Sequence, residues 1–271
     1  MTRFALLGTS KITSFQAAGF AVALITGLGV MGSAQAATVL VDFGSNASFR
    51  GVSVPNPDVN GNYWNSIVPG AYVLNMIDTG NNATTIDLGF DTGVGTDSYN
   101  GPAGPTSFPP TAAEVAATDI DAAALGNMGI KEAAFDFAAS PGSPNNNTRF
   151  QIQGLDPTKT YDLAFFGSHK FSDNDTTVYS VFTDSTYTTL VASTSLNVQQ
   201  PGSPWLHNRD TLATLNNLAP QDSNILYVQF VGSLGGTGYL NDMRISEAVP
   251  EPSGLAICGV AALLAARRRR R

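Results

Sequence analysis

Between residues 37 and 249, apolar and polar positions alternate over short runs, and clusters of Gly, Pro, Asn, Asp and Ser separate the runs. A period of two marks a strand with one buried face, and the clusters between are turn chemistry. Thr38-Val39-Leu40-Val41-Asp42-Phe43-Gly44 reads as the opening strand, and Ile225-Leu226-Tyr227-Val228-Gln229-Phe230-Val231 is one of the cleanest later ones. Further strands are expected over Ala71–Ile77, Thr85–Phe90, Glu132–Phe137, Thr148–Ile152, Tyr161–Phe166, Thr177–Thr183, Tyr187–Ala192, Thr211–Leu215 and Tyr239–Ile245. One helix is expected at Thr111–Ala117, where Thr111 and Glu114 have capping-box spacing. Strands this short at this spacing predict an all-β, two-sheet β-sandwich or jelly roll, a single domain without fixed repeats or an interior membrane span.

The two ends read differently. In residues 1–36, Arg3 and Lys11 precede an apolar run from Ala17 to Met31, and Ala34-Gln35-Ala36 supplies small residues at a cleavage position. This is the pattern of a signal peptide cut before Ala37, and no cysteine follows the run to make a lipoprotein anchor. Residues 250–271 run from Pro250-Glu251-Pro252 through thirteen uncharged residues, Gly254 to Ala266, to Arg267, Arg268, Arg269, Arg270 and Arg271. As a helix the apolar stretch rises about 20 Å, short of a hydrocarbon core of about 30 Å, so it makes a short transmembrane helix that needs help from its flanks. Arginines snorkel to headgroups and are retained on the cytoplasmic side, which leaves the body outside the membrane.

These three parts, in this order, resemble a PEP-CTERM sorting signal, also called the ice-binding protein C-terminal domain. The resemblance implies an exosortase partner, a membrane-embedded cysteine protease that cuts at Pro250-Glu251-Pro252 and releases or transfers the exported protein. It implies a membrane-anchored precursor and a mature form in the cell envelope or extracellular matrix. It covers only Val249 to Arg271 and is silent about the body.

Charge and cysteine narrow what the body can do. Of 14 basic residues, removing Arg3, Lys11 and the five terminal arginines leaves 7; of 21 acidic ones, removing Glu251 leaves 20, so the body carries about −13. Such a surface repels nucleic acid and suits neutral glycans or bound cations. The one cysteine, Cys258, lies in the apolar tail, so the body is held by its core and any metal ions rather than by disulfides.

Leu155-Asp156-Pro157-Thr158-Lys159-Thr160-Tyr161 has the form of a tyrosine corner, a turn whose Tyr hydroxyl bonds back to upstream backbone. Together with the opening Val41-Asp42-Phe43-Gly44, Tyr63-Trp64-Asn65, Phe165-Phe166-Gly167-Ser168 and Gly238-Tyr239-Leu240-Asn241, it resembles exported β-sandwich domains of galactose-binding-like or malectin-like type. The insertion from Phe90 to Ala123 departs from that pattern.

For chemistry, Asp78-Thr79-Gly80 and Asp91-Thr92-Gly93 spell the aspartic-protease triplet twice, but they are too close in sequence to come from two lobes and are expected to be strand-end turns. Asp173, Asn174 and Asp175 offer three oxygen ligands suited to Ca2+, with an ordinary turn as the alternative. His169 and His207 lie in separate loops, are expected to be exposed, and lack zinc spacing. There is no Gly-x-Ser-x-Gly elbow, and no catalytic residue is assigned. Aromatic rings stack on sugar faces, which makes Trp205, His169 and Tyr99 the ligand-binding candidates, with Trp64 expected in the core. The function expected is a non-catalytic glycan-binding body, its partner a neutral glycan or exopolysaccharide. The alternatives are a self-associating structural matrix protein and, third, a glycoside hydrolase.

Mass spectrometry of the exported protein is expected to find a chain starting at Ala37 and lacking Arg267 to Arg271. An intact arginine tail on exported protein would count against processing at Pro250-Glu251-Pro252.

Overall fold

The computed structural model describes residues 37–92, 95–98, 109–140, 147–169, 176–199, 207–221, 224–233 and 236–248. Among the described residues, fourteen strands carry the fold: β1 (Thr38–Asp42), β2 (Asn65–Ser66), β3 (Tyr72–Val73), β4 (Asp87–Phe90), β5 (Gly95–Ser98), β6 (Asp136–Ser140), β7 (Thr148–Gln153), β8 (Tyr161–Phe166), β9 (Thr176–Phe182), β10 (Leu190–Asn197), β11 (Ala213–Leu218), β12 (Leu226–Gly232), β13 (Gly238–Leu240) and β14 (Asp242–Glu247). A five-stranded sheet has the order β11-β8-β14-β1-β2, a six-stranded sheet the order β10-β9-β12-β7-β4-β3, and β13-β6-β5 form a small third sheet. The two large sheets pack face to face, and the chain is an all-β sandwich.

Alternation explains the packing. Val39, Val41, Leu163, Phe165, Met243 and Ile245 from the five-stranded sheet meet Leu88, Phe150, Ile152, Tyr179, Val181, Val228 and Phe230 from the six-stranded one in one buried core. Phe165 and Tyr179 stack across the interface with ring centroids 4.6 Å apart. Each fully buried Phe or Leu side chain contributes on the order of 2 kcal/mol. The opposite positions of the five-stranded sheet, Leu40, Ala164 and Phe166, are also buried, in a second cluster with Val54, Trp64, Leu125, Met128 and Ile130. That face is therefore covered by the loop after β1 and by a helical segment comprising α1 (Ala112–Ala116), α2 (Ala122–Leu125), the 3-10 turn Gly126–Met128 and α3 (Lys131–Phe135).

Several expectations hold and others need correction. The capping box at Thr111 and Glu114 is present, with both reciprocal bonds made. The tyrosine corner is present too: the Asp156 N–H donates to the Tyr161 hydroxyl at 2.8 Å. Glu132–Phe137 is not one strand. Lys131–Phe135 is helical and only then does β6 begin, because Lys, Glu and Ala favour a helix and no β-branched residue opposes it. Only Tyr72–Val73 of Ala71–Ile77 pairs as a strand. Tyr187 sits in a turn at φ 57°, so its strand starts at Leu190 and runs on to Asn197. Tyr239–Ile245 is broken at Asn241, whose buried amide donates to Ala134 O (3.1 Å) and Asp136 O (2.7 Å) and accepts from Ser168 N (2.7 Å).

Tyr161→Phe is expected to cost about 1 kcal/mol, and Asn241→Ala about 3 kcal/mol because three buried backbone groups lose their partner together. Urea denaturation midpoints check both; equal losses would mean that Asn241 is not the junction between these segments.

Candidate functional site

The outer face of the six-stranded sheet is open at its β7-β4-β3 end, whereas Phe182, Tyr187 and Tyr227 form a small buried cluster over β9 and β12. Along β7, Phe150 and Ile152 point into the core, so Arg149, Gln151 and Gln153 stand outward, half-buried. Gly89 faces Gln151 on one side and Tyr72 on the other. A Cβ at Gly89 would lie 2.1 and 2.2 Å from Tyr72 Cδ2 and Cε2, so the missing side chain is what lets the Tyr72 ring lie across the strand. That ring keeps 54% of its residue surface exposed.

Polar groups continue from this ring in an ordered chain. The Tyr72 hydroxyl donates to Gln153 Oε1 (2.9 Å), Gln153 Nε2 donates to Gln151 Oε1 (2.8 Å), and Gln151 Nε2 donates to both oxygens of Asp91 at 2.9 Å. Asp91 also accepts from the Tyr187 hydroxyl. The Arg149 guanidinium lies 4.5 Å over the Tyr187 ring, and its Nε shares Gln229 Oε1 with Asn147 Nδ2 at 3.1 and 3.2 Å. Burial, then the hydrogen bond to Asp91, pushes the Tyr187 phenol well up, so it stays a neutral donor. A half-exposed aromatic beside amides fixed in orientation can take the apolar face of a sugar ring and bond its hydroxyls.

Most of the site residues expected from sequence are not among the described residues. Trp205, Tyr99, Asp173, Asn174, Asp175, the leader and the whole tail lie outside the described residues. His169, just after β8, is half-buried: its ring stacks on Tyr239 (4.3 Å) and meets Phe137 edge-on (5.0 Å). The structure does not bring it to the Tyr72 face. His207 is buried, not exposed, and its Nε2 lies 2.7 Å from Asp119 O. Asp78 accepts from Gly80 N and Asn82 N in a turn, while Asp91 belongs to the chain above, so the two triplets form no dyad. Trp64 is in the core, 1% exposed, its indole donating to Asp58 at 2.8 Å.

Sequence reasoning missed Tyr72, Gln151, Gln153, Arg149 and Gln229. The usable signal was β7 itself, whose three successive outward positions are long and polar.

A second constellation lies under the covered face of the five-stranded sheet. Asp42 and Asp242 are cross-strand partners on β1 and β14, and Asp136 opens β6; all three are buried. Val54 N donates to Asp42 Oδ2 (3.3 Å) and Val52 N to Asp136 Oδ2 (2.7 Å). Asp42 Oδ1, Asp136 Oδ1 and both oxygens of Asp242 have no hydrogen-bond partner. Burial pushes all three carboxyls well above the usual range; repulsion from Asp136 adds to it for Asp42 and Asp242, while Ser66 lowers Asp42 and Arg244 lowers Asp242. A Cβ at Gly44 would fall 1.9 to 2.0 Å from the Asp136 carboxyl, so the glycine makes the room this group occupies. Among the described residues, no group of three or more His, Cys, Asp or Glu side chains is placed to hold a metal ion.

No protein-family model matches the chain, and no curated protein matches it in sequence. Among solved structures it is similar to the N-terminal CBM22-1–GH10 modules of Clostridium thermocellum endo-1,4-β-D-xylanase 10B complexed with xylohexaose, with 12% identity, TM-score 0.30, and 43% of this chain and 22% of that one covered. It is similar to arabinose-bound MgGH51 α-L-arabinofuranosidase, with 11% identity, TM-score 0.32, and 59% and 23% covered. A third is the CBM32 of AlyQ in complex with 4,5-unsaturated mannuronic acid, with 14% identity, TM-score 0.27, and 55% and 97% covered. The chain thus spans less than a quarter of the first two and nearly all of the third.

Proposed function

We propose that the body is a non-catalytic glycan-binding module, exported and then freed from its sorting tail by an exosortase cut at Pro250-Glu251-Pro252. The observation that carries the binding reading is the Tyr72 ring laid across Gly89, half-exposed, at the head of the Gln153–Gln151–Asp91 chain. Stacking on a sugar face needs a ring fixed in orientation, and hydroxyl recognition needs amides whose direction is already set. The acidic body favours an uncharged polysaccharide over a uronate or sulfated one. Trp205 and Tyr99, which lie outside the described residues, belong to the same reading as further stacking groups.

A structural, self-associating role is the second reading. Its support is β10, an edge strand of eight residues without a charged side chain, whose Leu190 and Val191 are exposed. Such an edge is open to strand addition.

Native affinity electrophoresis of the exported protein in gels containing neutral β-glucan, xylan or exopolysaccharide tests the first reading. Retardation is expected on one of these, with Tyr72→Ala weakening it roughly tenfold or more. Gly89→Ala should weaken it as well, because the added methyl displaces the ring without removing it. Wild-type protein that runs unretarded on every neutral glycan, yet forms concentration-dependent oligomers in light scattering, would sink the binding reading in favour of the second.

A further inference from the structure

We infer that Asp91 is the specificity-determining residue of the Tyr72 face: its carboxylate fixes the direction of every hydrogen bond in the polar chain and rejects sugars that carry a carboxylate or sulfate of their own. This role rests on the glycan-binding reading of that face. A side-chain amide can be turned either way, but a carboxylate accepts and never donates. Gln151 must therefore turn its Nε2 to Asp91, where it meets both oxygens at 2.9 Å, and that leaves its Oε1 to accept from Gln153 Nε2 at 2.8 Å. Gln153 Oε1 is then left to accept from the Tyr72 hydroxyl at 2.9 Å. Every donor in the chain points toward Asp91, and each bond polarises the next. The Tyr187 hydroxyl adds one more donor to the same carboxylate.

What a ligand meets at this end follows from the donors already in place. A carboxylate offers about four acceptor positions. Gln151 and Tyr187 fill two on Oδ2 and one on Oδ1. Asp91 is exposed, so the position left on Oδ1 is open to a hydroxyl proton from a sugar. A uronate or sulfate brought there has no proton to give and meets like charge at contact distance. The nearest cation does not relieve this. Arg149, whose carbonyl accepts from Asp91 N at 2.8 Å, gives its Nε to Gln229 and lays its guanidinium over the Tyr187 ring. Among the described residues, no Lys or Arg forms an ion pair with Asp91. Repulsion at contact also differs in range from that of the acidic body as a whole, which salt at about 1 M screens beyond roughly 3 Å.

The test is a pull-down of the exported protein on beads carrying neutral β-glucan or xylan, each beside its carboxymethylated derivative, in NaCl at about 1 M so that only contact charges count. Wild-type protein is expected to bind a neutral glycan and to bind its carboxymethylated form roughly tenfold more weakly or worse. Asp91→Asn should bring the two forms close to parity, because the amide has a proton to donate and no charge. Asp162→Asn removes an equal charge from the five-stranded sheet, where its Oδ1 accepts from Asn217 N at 2.7 Å, and should keep the wild-type ratio. If Asp91→Asn does not fold, Asp91→Ser takes its place. Wild-type binding to a neutral glycan, with Asp91→Asn still rejecting the derivative or with Asp162→Asn accepting it equally, would overturn the role of Asp91 and leave the binding reading standing. Wild-type protein that binds no neutral glycan would overturn both.

Discussion

The antiparallel pairing of β1 with β14, from Thr38 opposite Ser246 to Asp42 opposite Asp242, is the constraint on which the rest of the sandwich depends. The first and last strands of the body occupy the middle of the five-stranded sheet, between β2 on one side and β8 on the other. That sheet has no continuous centre until the last strand arrives, so its core is assembled from contacts of the longest sequence separation. The same pairing sets two carboxylates opposite each other at its far end, an arrangement that opposes strand pairing unless something offsets it. The most important register in the molecule is thus also the most electrostatically loaded.

The two large sheets use their outer faces differently. On the five-stranded sheet, Leu40, Ala164 and Phe166 demand cover, and the helical segment together with the loop bearing Trp64 supplies it. On the six-stranded sheet the equivalent positions of β7 are Arg149, Gln151 and Gln153, which need no cover. One face is closed by its residues, and the β7-β4-β3 part of the other is left exposed by its residues. The helical segment is therefore part of the fold's second core, and Asn241 fastens it by bonding Ala134 O and Asp136 O.

Much of this was legible in the residues, and the failures have physical causes. Alternation identified β7, short apolar runs bounded by turn residues identified β1, β8, β9 and β12, and the capping box and tyrosine corner were readable because each is local chemistry within a few residues. Glu132–Phe137 was misread as one strand because so short a segment shows no period that separates a strand from a helical turn, and the helix preference of Lys131, Glu132 and the two alanines was not weighed. The break at Asn241 was invisible because its partners, Ala134, Asp136 and Ser168, lie far away in sequence. The same holds for the carboxylate cluster: no spacing rule links Asp42, Asp136 and Asp242, and only the β1–β14 register and the start of β6 bring them together. The outward row on β7 was in plain view, but its meaning depended on Gly89 and Tyr72 being its neighbours in the sheet.

The ends of the body lie side by side: Glu247 N donates to Ala37 O at 3.1 Å, and Ala248 N to Thr160 O at 2.8 Å. A segment attached at either end therefore leaves from the same pole of the sandwich, and Pro250 follows Ala248 by two residues, a reach of about 7 Å at most. Any enzyme that severs the chain at Pro250-Glu251-Pro252 must work almost against the folded surface, with the body's pole pressed to it. Under the proposed cut at Pro250-Glu251-Pro252, the sandwich would itself be a ruler: a few added linker residues would change the standoff between body and protease while leaving Pro250-Glu251-Pro252 unaltered.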